Sequence, residues 1–325
     1  MCIVLISTAH PCYPLILIDN RDEYLTRPTA PAAFWPHPNA HVLGGRDLLR
    51  PIQGTWLGIT NQGRIAVLTN FREEGVAPEG VRSRGAMVNA FLTVPPESDE
   101  TTDTFVRNLL EGEDVSAVGG FSLVCGRVRR NREGLVVVSN RTPKAEDVTR
   151  IAHEQDKIYG LSNAAYGDKT WPKVVKGEEL MRQAIRESVE CGEGKHDFIQ
   201  RMMRLLSIDT LPRRRQGEDW EIYLRQLRNS VFIPAIQSEG TEGASSDQVA
   251  AARGPEKIQP VSTVTTPPPQ TRNVYGTQKQ TVVLVDSDGH VTFTERTLFD
   301  ENAQPIAIGK GDRTFEFTIE HWDES

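Results

Sequence analysis

Two short apolar runs near the start of the chain, Cys2-Ile3-Val4-Leu5-Ile6 and Leu15-Ile16-Leu17-Ile18, are separated by a turn signal, His10-Pro11-Cys12-Tyr13-Pro14. Each has the length of a buried strand, and the proline-bounded break between them predicts a hairpin. The second run ends in Asp19-Asn20-Arg21-Asp22-Glu23, a polar quintet expected to emerge at the end of a buried strand. Charged groups there need partners. Arg21 or Asp22 aimed at the beginning of the first strand would meet that need, and a solvated turn of mixed charge is the alternative.

Along the chain the pattern runs strands, helices, strands. Trp56 to Thr60 and Arg64 to Thr69 predict a hairpin around Asn61-Gln62-Gly63. Helical patterns follow from Ser83 to Val94, stopped by Pro95-Pro96, and from Thr101 to Leu110. Phe121 to Val128 and Leu135 to Val138 read as a second strand pair. Longer helices are predicted from Pro172 to Val189 and from Lys195 to Leu206, where Phe198, Met202 and Leu205 share one face as core. Strands resume at Thr281 to Asp286, Val291 to Arg296 and Phe315 to Ile319, with Ser287-Asp288-Gly289 as a hairpin turn. Two groups of antiparallel strands with several helices predict an α+β fold of two stacked sheets covered by helices.

Composition narrows the function. The chain has 325 residues, 38% hydrophobic and 25% charged, enough to bury a large core. A net charge of −7 argues against a nucleic-acid partner, because no basic stripe is available to displace counterions. Arg213-Arg214-Arg215 reads as loop charge. The four cysteines, Cys2, Cys12, Cys125 and Cys191, lack paired metal spacing and suggest no disulfide framework, which points to a reducing compartment. The apolar start carries no cationic segment and is interrupted at His10-Pro11, so neither a signal peptide nor a transmembrane segment is expected.

Cys2 carries the chemistry. Removal of Met1 would leave it with a free α-amine, a weak base beside a nucleophile, and the small Cys2 side chain is compatible with that removal. The amine has a reference pKa of about 7.7 to 8.0 and the thiol about 8.5, so one residue could supply both halves of a catalytic pair. The alternative is a cysteine that merely begins a buried strand.

Met1-Cys2-Ile3, Asn20-Arg21-Asp22-Glu23 with Arg27-Pro28, and Gly54-Thr55-Trp56-Leu57-Gly58 together resemble the signature of the NRDE family, also called the transport and Golgi organisation protein 2 family. Leu68-Thr69-Asn70, Gly160-Leu161-Ser162-Asn163 followed by Trp171-Pro172, Tyr275-Gly276-Thr277 and Val291-Thr292-Phe293-Thr294-Glu295-Arg296 extend the resemblance in the same order. The stretch from about Arg213 to Arg272 has no counterpart. Two departures stand out. Gln278 follows the Tyr-Gly-Thr triplet where the family usually has Arg, and Gln53-Gly54 replaces the usual double Gly, suggesting a slightly less tight turn.

The resemblance implies an αββα sandwich similar to the N-terminal-nucleophile hydrolases. In that group a terminal Cys attacks an amide carbonyl, its α-amine shuttles the proton, and Asn side chains or backbone amides hold the oxyanion. By resemblance, Cys2 is the nucleophile, Asp22 the carboxylate that orients the amine, and Asn70 and Asn163 the oxyanion donors. Both Asn residues could instead stabilise their own turns. Arg21 either belongs to this site or pairs with Asp22 or Glu23 as a structural fork. Two functions follow: hydrolysis of a linear, non-peptide C–N bond, or a non-catalytic carrier of a small hydrophobic metabolite. The second is implied by the family's links to haem handling, lipid homeostasis and Golgi organisation, and the resemblance implies a cytoplasmic protein associated with Golgi or mitochondria. No cofactor is expected. Haem would be cargo only, since the chain has no attachment motif and His10, His153 and His290 read as loop or core residues.

Residues 1–325 are expected to form one domain with a disordered insertion at about 237–272, a stretch rich in Ser, Thr, Gly, Pro and Gln and too poor in large apolar groups to offset ordering entropy. Excising it should leave the melting temperature nearly unchanged, since loop closure changes by only about 0.6 kcal/mol per doubling of length. Limited proteolysis should cut there first. A protease-resistant insertion would instead mark a second module.

Overall fold

The computed structural model describes residues 2–70, 83–112, 118–214, 218–237 and 274–323. Among the described residues, fourteen strands form two antiparallel sheets. The first contains β1 (Ile3–Ser7), β2 (Leu15–Tyr24), β10 (Ile158–Leu161), β11 (Ile236–Gln237), β12 (Val274–Val285), β13 (His290–Thr297) and β14 (Asp312–Thr318), in the order β10-β1-β2-β12-β13-β14 with β11 added on β12. The second runs in chain order through β3 (Thr29–Phe34), β4 (Val42–Asp47), β5 (Leu57–Thr60), β6 (Arg64–Asn70), β7 (Phe121–Arg127), β8 (Leu135–Ser139) and β9 (Thr149–Ile151).

Side-chain alternation along the strands builds three apolar layers. Val4, Ile6, Leu15 and Leu17 face Leu57, Ile59, Ile65 and Val67 between the sheets. Their neighbours Ile3, Leu5, Ile16 and Ile18 face outward onto α3 (Pro172–Cys191) and α4 (Lys195–Leu206), meeting Met181, Phe198 and Met202. On the other outer face, Ala66, Leu68, Leu123 and Val136 meet Phe91 of α1 (Gly85–Leu92) and Phe105 of α2 (Thr102–Glu111). The result is the αββα sandwich expected from the sequence. The N-terminal runs are continuously apolar because both of their faces are covered. In α3, Pro172 opens the first turn and Gly192 closes the helix in the left-handed conformation, at φ 63°.

Several boundaries differ from the expectation. β2 does not stop at Ile18 but continues through the polar quintet to Tyr24, because β12 pairs with it from Leu15 to Tyr24. β12 accordingly begins at Val274 rather than Thr281. Neither β3 nor β4 was signalled: Pro31 breaks the β-pattern of Thr29–Phe34, and the β3–β4 register shifts between Ala30 and Ala33 around it, which an edge strand tolerates. Most of the expected insertion lies outside the described residues, but Gln237 belongs to β11, paired with Val274.

A polar link crosses between the sheets. Lys279 of β12 and Glu295 of β13 form an ion pair at 3.1 Å, with side chains 2% and 1% exposed. The same Glu295 oxygen accepts from the Ala32 amide of β3, in the opposite sheet, at 2.9 Å. Burial holds the Lys279 ammonium below the usual lysine range, so the pair depends on its carboxylate. Glu295→Ala strands that ammonium and an amide, and should cost about 3–5 kcal/mol in urea unfolding. A loss under about 1 kcal/mol would show that the link does not hold the sheets.

Candidate active site

The carboxyl-terminal half of β2 carries the polar quintet between β1 and β12, and alternation sends its side chains to opposite faces. Asn20 points toward the helices and donates to the carbonyls of Leu206 at 2.8 Å and Val231 at 2.9 Å. Arg21 points into the space between the sheets. Its guanidinium lies 4.5 Å over the Trp56 ring, 3.3 Å from Asp47 Oδ2 of β4, and donates to Gln278 Oε1. Neither Asp22 nor Glu23 is its partner in these contacts. Glu23 pairs with Arg27 instead, at 3.5 Å, and Arg27 shares Asp47 with Arg21, at 2.5 Å. Arg21 therefore joins the sheets and reads as a structural fork with a different carboxylate.

Asp22 is held on several sides. Oδ1 accepts from Thr277 Oγ1 at 2.7 Å, Oδ2 lies 3.9 Å from Lys173 Nζ, and the Asp22 carbonyl accepts from the Tyr275 hydroxyl at 3.1 Å. The Tyr275-Gly276-Thr277 motif is thus a clamp on Asp22. Gly276 is required because a Cβ would meet the carbonyl oxygens of Pro234 and Ile233 at 3.0 and 3.1 Å. Thr277 Oγ1 also accepts from the Ile233 amide at 2.9 Å, which fixes the hydroxyl's orientation toward Asp22.

Cys2 reaches the same place from β1. Its half-buried thiol lies 3.9 Å from the Asp22 carbonyl, and its own carbonyl accepts from Ser162 Oγ at 2.6 Å. Thr69 Oγ1 of β6 donates to the Ser162 carbonyl at 2.8 Å, so the second sheet reaches this corner too. Asn163, buried and adjacent to Ser162, and Asn70, half-buried at the end of β6, follow these two hydrogen-bonded residues. Cys2, Asp22 and Asn163 are thereby brought to one end of the sandwich, together with the end of β6 that carries Asn70.

Electrostatics at this corner are severe. Burial pushes the Cys2 thiol up to about 11; the chain's terminal amine opposes the shift, and the Asp22 and Asp19 carboxylates add to it. Asp19, fully buried on the other face of β2, is raised well above the carboxylate range by burial and then by the charge of Asp22. Lys173 at the start of α3 is entirely buried, and burial lowers its pKa while Asp22, Cys2 and Asp19 oppose the shift. The sequence reading overlooked this residue. Its signal was position: it directly follows Trp171-Pro172, a pair that the resemblance already included.

The two departures from the family pattern take definite forms. Gln278 is the extra residue of a bulge between Thr277 and Lys279, accepting from Arg21 and donating to the carbonyls of Leu25 at 3.0 Å and Arg27 at 3.2 Å. Arg21 thus sets a guanidinium against the Gln278 side chain. Gln53 adopts φ 45°, the left-handed conformation that glycine takes at least cost, so the turn keeps a glycine-like backbone. As for metals, Asp286, Asp288 and His290 approach one another at the β12–β13 turn. The turn accounts for them, since Asp286 Oδ1 accepts from the amides of Asp288 and His290 at 2.9 Å each. No helix among the described residues is long and apolar enough to cross a membrane.

Among known proteins, the chain is similar to the Transport and Golgi organization 2 homolog of Mus musculus, 28% identical over 310 residues, 95% of this chain and 94% of that one. It is 30% identical over 295 residues to the Transport and Golgi organization protein 2 homolog of Bos taurus, covering 88% of this chain and 87% of that one. Among solved structures, a Caenorhabditis elegans N-acylethanolamine-hydrolyzing acid amidase ortholog is similar with a TM-score of 0.42 at 15% identity, covering 64% of this chain and 87% of that chain. The family model described as Transport and Golgi organisation 2 matches residues 1–300, and the chain belongs to that family.

Proposed function

We propose that this protein is an amidohydrolase acting on a linear, non-peptide C–N bond, with Cys2 as its nucleophile once Met1 is removed. The observation that supports this reading is the meeting of the segments that carry Cys2, Asp22, Asn163 and Asn70 at one corner, reached from both sheets and pinned by the Ser162 and Thr277 hydroxyls. In this reading the α-amine of Cys2 takes the thiol proton and Sγ attacks the substrate carbonyl. The tetrahedral oxyanion is held by Asn163 and Asn70, where preorganised donors are worth about 2.7–4 kcal/mol each. The amine then gives its proton to the leaving nitrogen, and water cleaves the thioester to return the thiol. Asp22 orients the amine. Arg21 keeps the strand that carries Asp22 fixed to the second sheet rather than touching the reacting atoms.

A carrier of a small hydrophobic metabolite, haem included, is the second reading. It is favoured by Leu48, Leu49 and Ile52, exposed on the loop just after Asp47, the carboxylate that holds Arg21. The four free cysteines, two of them exposed, support placement in a reducing compartment, and the names of the relatives support a role in Golgi organisation.

Two measurements test the proposal. At about 11 the half-buried thiol is almost wholly protonated at pH 7, and its thiolate fraction grows only as pH rises toward that value. A chain that keeps Met1 should therefore label slowly at Cys2, whereas the processed chain should label there faster than at Cys12, Cys125 or Cys191. Intact mass showing Met1 retained on the purified protein, or equal labelling of all four thiols, would sink the nucleophile.

The second is complementation of a null strain, with folding checked by thermal melt. Cys2→Ala should melt normally and fail to rescue, because it removes the nucleophile and leaves the cleft. Asp22→Asn should fail as well. Full rescue by Cys2→Ala would favour the carrier.

A further inference from the structure

Lys173 is a buried charge that the reaction above leaves unused. None of its surface is exposed, and its Nζ lies 5.9 Å from the centre of the Trp171 ring. Its position follows from how α3 sits on the first sheet. Gly177, one turn further along the same helical face, packs so closely on β1 that a Cβ would lie 3.1 Å from Leu5 and 3.4 Å from Ile3. Lys173, nearer the helix start, therefore lies toward the end of β1 at which Cys2 stands. Its ammonium is 3.9 Å from Asp22 Oδ2, while Thr277 occupies Oδ1 at 2.7 Å. The Asp22 carbonyl in turn is 3.9 Å from Cys2 Sγ.

The thiol touches the Asp22 backbone and not its carboxylate, yet the carboxylate's negative charge still acts against the thiolate that must form. We propose that Lys173 is a positioning residue of the site, whose ammonium holds the Asp22 carboxylate against Thr277 and supplies the counter-charge that lets a carboxylate be carried by the strand residue whose backbone meets the nucleophilic sulfur. β2 contributes Asp19 and Asp22, the N-terminus contributes Cys2 and the terminal amine, and Arg84 just before α1 also senses Cys2. β12 contributes the neutral Thr277 hydroxyl. Lys173 keeps its proton throughout, and the thiol proton moves to the α-amine.

The inference rests on Cys2 as nucleophile, so intact mass is measured first; a retained Met1 ends that reading without bearing on the lysine. Alkylation of Cys2 by iodoacetamide is then followed from pH 5 to 11 by peptide mass. Lys173→Met should raise the midpoint by about one unit and slow the reaction about tenfold at pH 7, while Lys173→Arg should keep the wild-type profile. A Lys173→Met protein that melts normally with an unmoved midpoint overturns the proposal. Should that variant fail to fold, the wild type provides the test through the Lys173 ¹³Cε resonance. Compared with it, Asp22→Asn removes the negative charge that faces the ammonium, so the Lys173 midpoint should fall, and an unchanged midpoint overturns the proposal equally.

Discussion

The pairing of β2 with β12 governs the molecule. β2 lies inside the first sheet with both faces covered, and its partner follows it from Leu15 to Tyr24. A strand so placed cannot shed its polar residues into water, and its two-residue period allots each to one face. Asn20 and Asp22 are turned toward the helices, Asp19 and Arg21 toward the second sheet. One extra residue in β12, Gln278, shifts the register between Thr277 and Lys279, so that Thr277 meets Asp22 and Lys279 meets Arg21. Bulges commonly re-aim side chains in this way beside functional sites.

Burying this much charge is expensive, and the structure answers with partners rather than solvent. Arg21 finds Asp47, Lys279 finds Glu295, Arg296 finds Asp312 at 2.7 Å, and Lys173 finds Asp22. These pairs divide by geometry. Arg21 and Glu295 reach across the inter-sheet layer, to Asp47 and to the Ala32 amide, and bind one sheet to the other. The pairing of Lys173 with Asp22 instead ties the first sheet to the helix above it. Hydrophobic burial sets the sandwich, and these bonds set its alignment, an order of importance that follows from the modest net worth of a paired buried charge.

Much of this was legible in the chain, and what was not has physical reasons. The apolar runs that became β1, the start of β2, β5 to β8, and the helices α3 and α4 announced themselves by length and period. The end of β2 did not, because charge in a strand reads as a turn unless its partner strand is known. β3 hid behind Pro31, and β10 is only four residues long. Within the site, Cys2, Asp22, Asn70 and Asn163 were named from residue type and resemblance, and the chain segments that carry them lie at one end of the sandwich. Arg21 was named with them, but its partner Asp47 lies in a strand that the sequence did not signal. Lys173 was invisible for a simpler cause: a lysine in the first turn of a helix reads as solvated, and only the close seat that Gly177 allows brings it inside.

Ile236 and Gln237 pair with Tyr275 and Val274, so the chain leaves and re-enters the first sheet at neighbouring backbone positions. Whatever is inserted between them begins and ends at the same hydrogen-bonded gate, two residues from the Thr277 that grips Asp22. The span that the intervening residues must bridge is set by that pairing and not by their number. The chain can thus accept new sequence there, a tag or a whole added module, with Thr277 still seated where Asp22 requires it.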